Sequence, residues 1–168
     1  MGKIIDFYEG IGNNKYGFSY DDMINMSDTN IENSHTCIQW LFPLYEESMA
    51  TPNSPVLTDD EIETFRKPEN KHLRKKLVIA TKRMLYFYGL EIKIEPNDMV
   101  RVVKAANWEE KSENWLSPRN HNFKRLTRIV RSLSLLDVDV LAEALQNCLL
   151  VIASESSAVN SETALYWE

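Results

Sequence analysis

A chain of 168 residues with 43% hydrophobic residues is long enough to bury one core, and we expect a single domain over residues 1–168. Its five glycines, six prolines and lack of low-complexity tracts exclude a disordered or fibrous protein. No segment approaches the roughly 20 apolar residues of a membrane helix, and no signal-peptide pattern follows Met1. The sequence therefore predicts a soluble intracellular protein without an integral membrane segment, cytoplasmic or, in a eukaryote, nuclear.

The net charge of −6 is unevenly distributed along the chain. Residues 1–63 carry twelve acidic and two basic residues, residues 64–131 carry seventeen basic and seven acidic residues, and residues 132–168 carry six acidic residues and no basic one. The charges either form opposed surface patches, or the acidic ends lie across the basic middle and neutralise it within the fold. We favour internal pairing, because a like-charged surface costs stability.

Helix start and stop signals in the first half predict a mainly α-helical protein. The Thr58 to Glu61 segment has the pattern of a capping box, Pro43 is expected to end one helix, and Gly89 another. The predicted elements are a short helix over 4–11, a helical turn over 20–24, a helix from Ser27 or Asp28 to Phe42, a long proline-containing loop over 43–57, a helix that begins after Thr58, and a long helix from Pro68 to Gly89.

The second half continues the same pattern after one interruption. Residues 90–103 alternate weakly around a Pro-Asn-Asp turn, which predicts a small β-hairpin. Ser117 followed by Pro118 has the form of an N-cap with proline at the first helical position. The predicted helices cover 108–115, 118–136, 139–153 and 161–167. We therefore expect an all-α bundle of about seven helices, with the hairpin as its only β structure.

Basic and amide side chains cluster around the start of the predicted 118–136 helix, where free backbone N–H groups favour an anion. The candidate contacts to an anion or a nucleic acid are Arg119, Asn120, His121, Asn122, Lys124, Arg125, Arg128 and Arg131. A second basic set lies on the helix before it and comprises Lys71, Arg74, Lys75, Lys76, Lys82 and Arg83. Phosphate contacts would use such a surface. Alternatively, the amides satisfy backbone groups inside the fold and the cations are solvated or internally paired.

Three aromatic residues flank the proline-containing loop. Trp40, Phe42 and Tyr45 are candidate contacts to a peptide or a protein, because aromatic anchors are common in such interfaces. Core packing is the alternative for all three.

No catalytic or metal-binding pattern stands out. The chain lacks a metal-ligand spacing of cysteine and histidine, a nucleophile–base pair and a phosphate-binding glycine loop. Cys37 and Cys148 lie far apart in apolar stretches, and we expect both to be reduced thiols. The sequence predicts a non-enzymatic protein without a cofactor.

Several short strings occur in a characteristic order along the chain. They are Tyr20-Asp21-Asp22, Ile38 to Pro43, Leu57-Thr58, Arg83-Met84-Leu85 with Phe87 to Leu90, Asn114 to Pro118, Asn120 to Phe123, the series Arg125, Thr127, Arg128, Ile129, Arg131, Ser132 and Leu133, and Tyr166-Trp167. In order and spacing these strings resemble the conserved domain of the opioid growth factor receptor family along nearly the whole chain.

The resemblance implies binding and no catalytic residues. Animal receptors of this family are described as binding the pentapeptide Met-enkephalin and as restraining growth from the nucleus, and they carry long additional C-terminal segments. We therefore expect a non-enzymatic module that binds a peptide or protein partner. The alternatives are an anion or nucleic-acid binder that uses the 118–136 helix, and an acidic inhibitor that blocks a nucleic-acid-binding protein. Oligomeric state is left open.

Overall fold

The computed structural model describes residues 2–14, 17–34, 36–45 and 55–167, apart from the side chains of Glu162 and Leu165. In this part of the chain there are ten α-helices and one two-stranded sheet, which confirms a mainly α-helical fold with more helices than the seven expected. The elements are α1 Lys3–Glu9, α2 Tyr20–Ile24, α3 Asp28–Asn33, α4 Cys37–Leu41, α5 Asp59–Arg66, a 3₁₀ turn Pro68–Asn70, α6 Lys71–Tyr88, β1 Leu90–Ile94, β2 Val100–Lys104, α7 Trp108–Ser112, α8 Asn122–Leu135, α9 Asp139–Glu155 and α10 Ser161–Trp167.

Local capping explains where several helices begin and end. The Ser27 hydroxyl accepts the Asn30 N–H at the start of α3. The capping box at the start of α5 is confirmed, with Thr58 and Glu61 each accepting the other's backbone N–H. Gly89 ends α6 with φ +80°, and a β-carbon there would meet α7 at 3.0 Å, so this position requires glycine for both reasons.

The predicted continuous helix from Ser27 to Phe42 is wrong, because the segment forms two short helices. Ser34 is extended, with ψ 127°, and ends α3. Its hydroxyl then accepts the Cys37 N–H at 3.1 Å as α4 begins. Serine competes for backbone groups in this way and favours a helix boundary over a helix interior.

The predicted start of the 118–136 helix is also wrong. Arg119 has φ +61°, a left-handed conformation that interrupts a helix, and α8 begins at Asn122. Asn120 closes the preceding turn, since its amide donates to the Ser117 hydroxyl at 3.0 Å and its carbonyl accepts the Asn122 N–H at 2.9 Å. The Ser117-Pro118 pair therefore belongs to this turn.

The predicted hairpin is confirmed. β1 and β2 pair antiparallel, with Leu90 opposite Lys104, Ile92 opposite Val102 and Ile94 opposite Val100. Leu90 and Val102 are buried on the core side. Helix α9 packs along β2, while β1 lies next to the end of α6.

The core contains two groups of aromatic rings. The first surrounds Tyr8, whose ring centroid lies 5.1 Å from that of Tyr20 and 5.2 Å from that of Phe65. The second surrounds Trp115, which is buried, stacks edge-on with Tyr88 at 5.3 Å and donates its indole N–H to the Tyr88 carbonyl at 3.0 Å. Edge-on packing of this kind adds to the free energy of burial. Helices α8 and α9 pack against each other in the middle of the structure.

Most of the predicted loop over 43–57, and His35, lie outside the described residues. At its two described ends the loop is tied together by a hydrogen bond from the Leu57 N–H to the Leu44 carbonyl at 2.9 Å. Across the described ranges, no helix combines the length and the hydropathy that crossing a membrane requires.

Candidate functional site

Arg125 joins α8 to the end of α3. Its guanidinium donates to the carbonyl oxygens of Ile31 at 3.1 Å, Glu32 at 3.3 Å and Ser34 at 2.6 Å. The last carbonyls of a helix lack partners within the helix, and a planar guanidinium can satisfy several of them at once. Arg125 therefore acts as a tertiary cap for α3.

Two further α8 side chains hold the chain after α4. Arg128 Nε donates to the Phe42 carbonyl at 2.9 Å, and the buried Ser132 hydroxyl donates to the Pro43 carbonyl at 2.9 Å. Positions 125, 128 and 132 lie on one side of a helix because they are three and four residues apart. This side of α8 fixes the end of α3 and residues 42 and 43 to the rest of the fold.

The amides before α8 belong to an internal network. Asn122 is fully buried, accepts the Tyr88 hydroxyl at 3.1 Å and donates to the Glu32 carboxylate at 3.2 Å. The same carboxylate lies 2.8 Å from His121 Nε2. Asn120 also accepts from the Asn122 amide, at 3.0 Å. A carboxylate of the protein thus engages two of the side chains, His121 and Asn122, that were candidate contacts to an external anion.

The eight residues of the predicted anion or nucleic-acid site fall into an internally bonded group and an exposed group. Internal contacts engage Asn120, Asn122, Arg125 and Arg128, and His121 pairs with Glu32. Those with exposed side chains are Arg119, His121, Lys124 and Arg131. The expected row of Lys124, Arg128 and Arg131 is therefore no continuous basic surface, because Arg128 turns inward to the backbone of residue 42.

The three candidate aromatic contacts differ in their exposure to solvent. Trp40 is 6% exposed and packs on Phe7 with ring centroids 5.2 Å apart, and Phe42 is fully buried. Tyr45 is 57% exposed. Of these three, Tyr45 is the side chain that a partner reaches in this conformation.

Ion pairs among the described residues connect the acidic ends with the basic middle of the chain. Asp28 is the centre of the most buried group, with its carboxylate 2.7 Å from Arg83 and 2.6 Å from Lys111. Glu155 also pairs with Lys104. The Glu9 and Glu32 carboxylates lie 2.6 Å from His72 and 2.8 Å from His121, and these contacts are ion pairs only when the histidine is protonated. These contacts support the expectation that part of the segregated charge is neutralised within the fold.

The Asp28 group predicts a dependence of stability on acid pH. Burial alone would raise the pKa of Asp28, but hydrogen bonds from Lys111 and Arg83 outweigh it and lower the pKa. A carboxylate whose pKa is lower in the folded state stabilises the protein above its unfolded pKa of about 3.9 and loses this contribution as pH falls through the folded value. We expect Asp28→Asn to lower the free energy of unfolding by roughly 1 kcal/mol at neutral pH, since solvent screens part of the pair.

Urea unfolding at a series of pH values checks this prediction. The difference between wild type and Asp28→Asn should shrink as the pH falls below about 4. Glu143→Gln, which changes an exposed carboxylate on α9, is the control and should unfold like wild type throughout. A difference for Asp28→Asn that stays constant down to strongly acid pH would contradict the assignment.

The solvent-facing side of α6 presents a surface that the sequence analysis recognised in part. Five exposed residues follow the helical repeat along it: Lys71, Lys75, Ile79, Lys82 and Tyr86. We call this set the α6 stripe. Ile79 is 48% and Tyr86 59% exposed, and α6 contains no acidic residue. The lysines were expected on this side, whereas the two large apolar side chains among them were not recognised.

A groove begins where the α6 stripe meets the hairpin. It has a volume of about 250 Å³ and is lined by Lys82, Leu85, Tyr86, Leu90, Glu91 and Ile92. We call it the α6–β1 groove. The Tyr86 ring lies beside two cations, 5.7 Å from Arg83 and 5.6 Å from Lys111. The groove thus combines apolar walls with one lysine, Lys82, and one carboxylate, Glu91. Sequence periodicity could not reveal it, because it depends on how β1 lies against α6.

The two cysteines are free, as expected. Burial raises the pKa of Cys37 and raises that of Cys148 to about 11, so both thiols are protonated at neutral pH and are poor nucleophiles. Among the side chains that the structure describes, no group of histidine, cysteine and acidic residues is arranged to hold a metal ion.

These observations define a helical domain in which one polar side of α8 is bonded to the end of α3 and to the carbonyls of Phe42 and Pro43. The chain matches the family model described as the opioid growth factor receptor (OGFr) conserved region over residues 5–166. It therefore belongs to the opioid growth factor receptor family. Of the polar α8 residues that carried the resemblance, Arg125, Arg128 and Ser132 bond to backbone carbonyls of the protein.

Curated relatives in animals share part of this chain. Mouse opioid growth factor receptor-like protein 1 is 38% identical over 103 residues, 61% of this chain and 21% of that protein. Mouse opioid growth factor receptor is 36% identical over 126 residues, 73% of this chain and 19% of that protein. The human receptor is 38% identical over 109 residues, 65% of this chain and 15% of that protein. The chain thus spans about a fifth of the length of these relatives, or less. No solved structure matches it.

Proposed function

We propose that residues 1–168 form a single-domain, non-enzymatic module that binds a protein or peptide partner. The α6–β1 groove and the α6 stripe beside it are the observation that carries this proposal. Exposed aromatic and aliphatic side chains next to a depression are the usual anchors of peptide recognition. The curated relatives are named as receptors or receptor-like proteins, which agrees with a binding role.

An intracellular location belongs to the same proposal. Its support is that Cys37 and Cys148 are free thiols, which is the usual state of cysteines inside the cell.

Binding of nucleic acid through the start of α8 has less support. That region directs Asn122, Arg125 and Arg128 to groups of the protein itself, and the Glu32 carboxylate lies among its donors. An acidic inhibitor has less support for a similar reason, because acidic residues of both chain ends, such as Asp28 and Glu155, pair with cations of the middle segment.

Affinity capture from cell lysate, followed by mass spectrometry, tests the proposed function. The tagged chain is used with and without nuclease and washed at low and high salt. We expect a protein partner that survives both treatments, because an apolar contact responds little to salt whereas phosphate contacts weaken steeply. Loss of all recovered material after nuclease treatment would contradict the proposal and favour a nucleic-acid ligand.

A matched pair of variants shows whether the groove is used. Ile79→Ser with Tyr86→Ser removes two exposed apolar side chains from the α6 stripe, and Val140→Ser with Val151→Ser removes two from α9. The first variant should lose the partner and the second should keep it, while circular dichroism and the unfolding midpoint show that both fold. Equal retention by both variants would place the binding surface elsewhere.

A further inference from the structure

The outer edge of β1 is open to pairing with another strand. Among the described residues the sheet consists of β1 and β2 alone, and α9 packs along β2. β1 therefore has a strand neighbour on one side only, while the α6–β1 groove lies between β1 and α6. A strand edge with unused main-chain groups is a template for an extended segment of another chain.

The hairpin register identifies which main-chain groups face outward. The Glu95 N–H donates to the Met99 carbonyl at 2.8 Å, and the Ala105 N–H donates to the Gly89 carbonyl at 2.9 Å. In an antiparallel pair the bonded positions alternate with unbonded ones. Residues 89, 91, 93 and 95 therefore bond to β2, and the N–H and C=O groups of residues 90, 92 and 94 point away from it.

The surroundings of this edge are basic and partly apolar. Lys82 and Tyr86 of the α6 stripe line the groove, and the exposed Ile79, Lys75 and Lys71 continue the stripe along α6 away from it. Other cations of the middle segment bond within the protein. Arg74 donates to the Phe65 and Lys67 carbonyls, and Arg83 pairs with Asp28. Exposed positive charge thus accompanies the free strand edge.

We propose that an acidic, extended peptide segment of a protein partner binds here as a third strand along the outer edge of β1. Its main chain bonds to the outward groups of Ile92 and Ile94, its acidic side chains lie against Lys75 and Lys82, and an apolar side chain enters the α6–β1 groove beside Tyr86. The proposal rests on the proposed function and adds the binding mode and the charge of the partner.

A peptide fits this surface better than a nucleic acid. The outward N–H and C=O groups of β1 alternate as a strand requires, whereas a phosphate backbone offers acceptors only. Ile79 also stands within the row of lysines, where an apolar side chain gains from contact with a peptide side chain.

Selection from a displayed library of random linear peptides tests the proposal, with the tightest selected peptide as the probe. We expect selected peptides to be acidic with alternating β-branched residues. A version of the probe peptide with Glu and Asp changed to Gln and Asn should bind at least about tenfold more weakly.

Variants of Ile94 test the strand pairing. Ile94→Pro removes an outward N–H without removing a bond to β2, and should weaken binding at least about tenfold. Ile94→Thr keeps that N–H and should bind within about threefold of wild type.

Charge variants complete the experiment. Lys75→Glu with Lys82→Glu should weaken binding of the acidic peptide at least about tenfold. Lys67→Glu with Lys124→Glu makes the same change of charge at exposed positions away from the groove and should leave the affinity unchanged. Circular dichroism and unfolding midpoints show that each variant folds.

Three results would overturn the proposal. They are selected peptides without an acidic bias, peptide binding that Ile94→Pro leaves unchanged, and tight binding of oligonucleotides that Lys75→Glu with Lys82→Glu abolishes while no peptide is selected. A partner captured from lysate that depends on Ile79 and Tyr86 but not on Ile94 would leave the proposed function intact and remove only the strand-pairing mode.

Discussion

Replacing Arg125 by alanine should destabilise the protein by about 3–4 kcal/mol, because three backbone carbonyls lose a charged donor at once. The guanidinium bonds to residues 31, 32 and 34, and Asn122 also lies 3.5 Å from it. Part of this contact region is buried, so the carbonyls cannot all recover bonds with water. Urea unfolding followed by circular dichroism at neutral pH measures the loss.

Two further variants separate charge from geometry at this position. Arg125→Lys keeps the positive charge, but one ammonium group cannot reach all three carbonyls, and we expect it to recover less than half of the lost stability. Lys124→Ala removes the adjacent exposed cation and should unfold like wild type. If Arg125→Ala instead unfolded like wild type and lost only ligand binding, Arg125 would act in an external site and its role as a cap for α3 would be wrong.

The long elements and their caps were predictable from local signals. The capping box at Thr58, the glycine that ends α6 and the hairpin after it each depend on residues close together in the chain, so the sequence pattern contains them. The break at Ser34 combines a local cap with a contact across the fold, and α8 begins late because Arg119 is left-handed. Arg125 reaches Ser34 over 91 positions of sequence, and such a contact leaves no periodic signal.

The candidate site was less predictable for the same reason. A basic residue on a helix has the same pattern whether it points to solvent, as Lys124 does, or bonds to a carbonyl, as Arg128 does. The arginines near the strongest family strings were therefore candidate ligand contacts, with internal pairing as the alternative, and the structure engages Arg125 and Arg128 internally. Conversely, Ile79 and Tyr86 were not predicted as surface contacts, because only the orientation of α6 shows that they face solvent.

Replacing Glu61 should also destabilise the protein strongly, because its buried carboxylate accepts hydrogen bonds from the start of two helices. One oxygen accepts the N–H groups of Ile4 and Ile5, each at 3.0 Å, and the other accepts the Thr58 N–H at 3.2 Å. Glu61 therefore links the first turn of α1 to the start of α5, 57 positions away in sequence. Glu61→Ala leaves these donors without a partner, and we expect a loss of about 3 kcal/mol in the free energy of unfolding.

The size and charge of the Glu61 side chain can be tested separately. Glu61→Gln keeps one carbonyl oxygen but replaces the other with an amide that cannot accept, and it should lose an intermediate amount of stability. Glu63→Ala, at an exposed position of the same helix, is the control and should unfold like wild type.

Gly2→Ala tests the same contact from α1, because the added β-carbon would lie 2.3 Å from the Glu61 carboxyl carbon. It should therefore also destabilise the protein, and a Glu61→Ala variant as stable as wild type would contradict the link between α1 and α5.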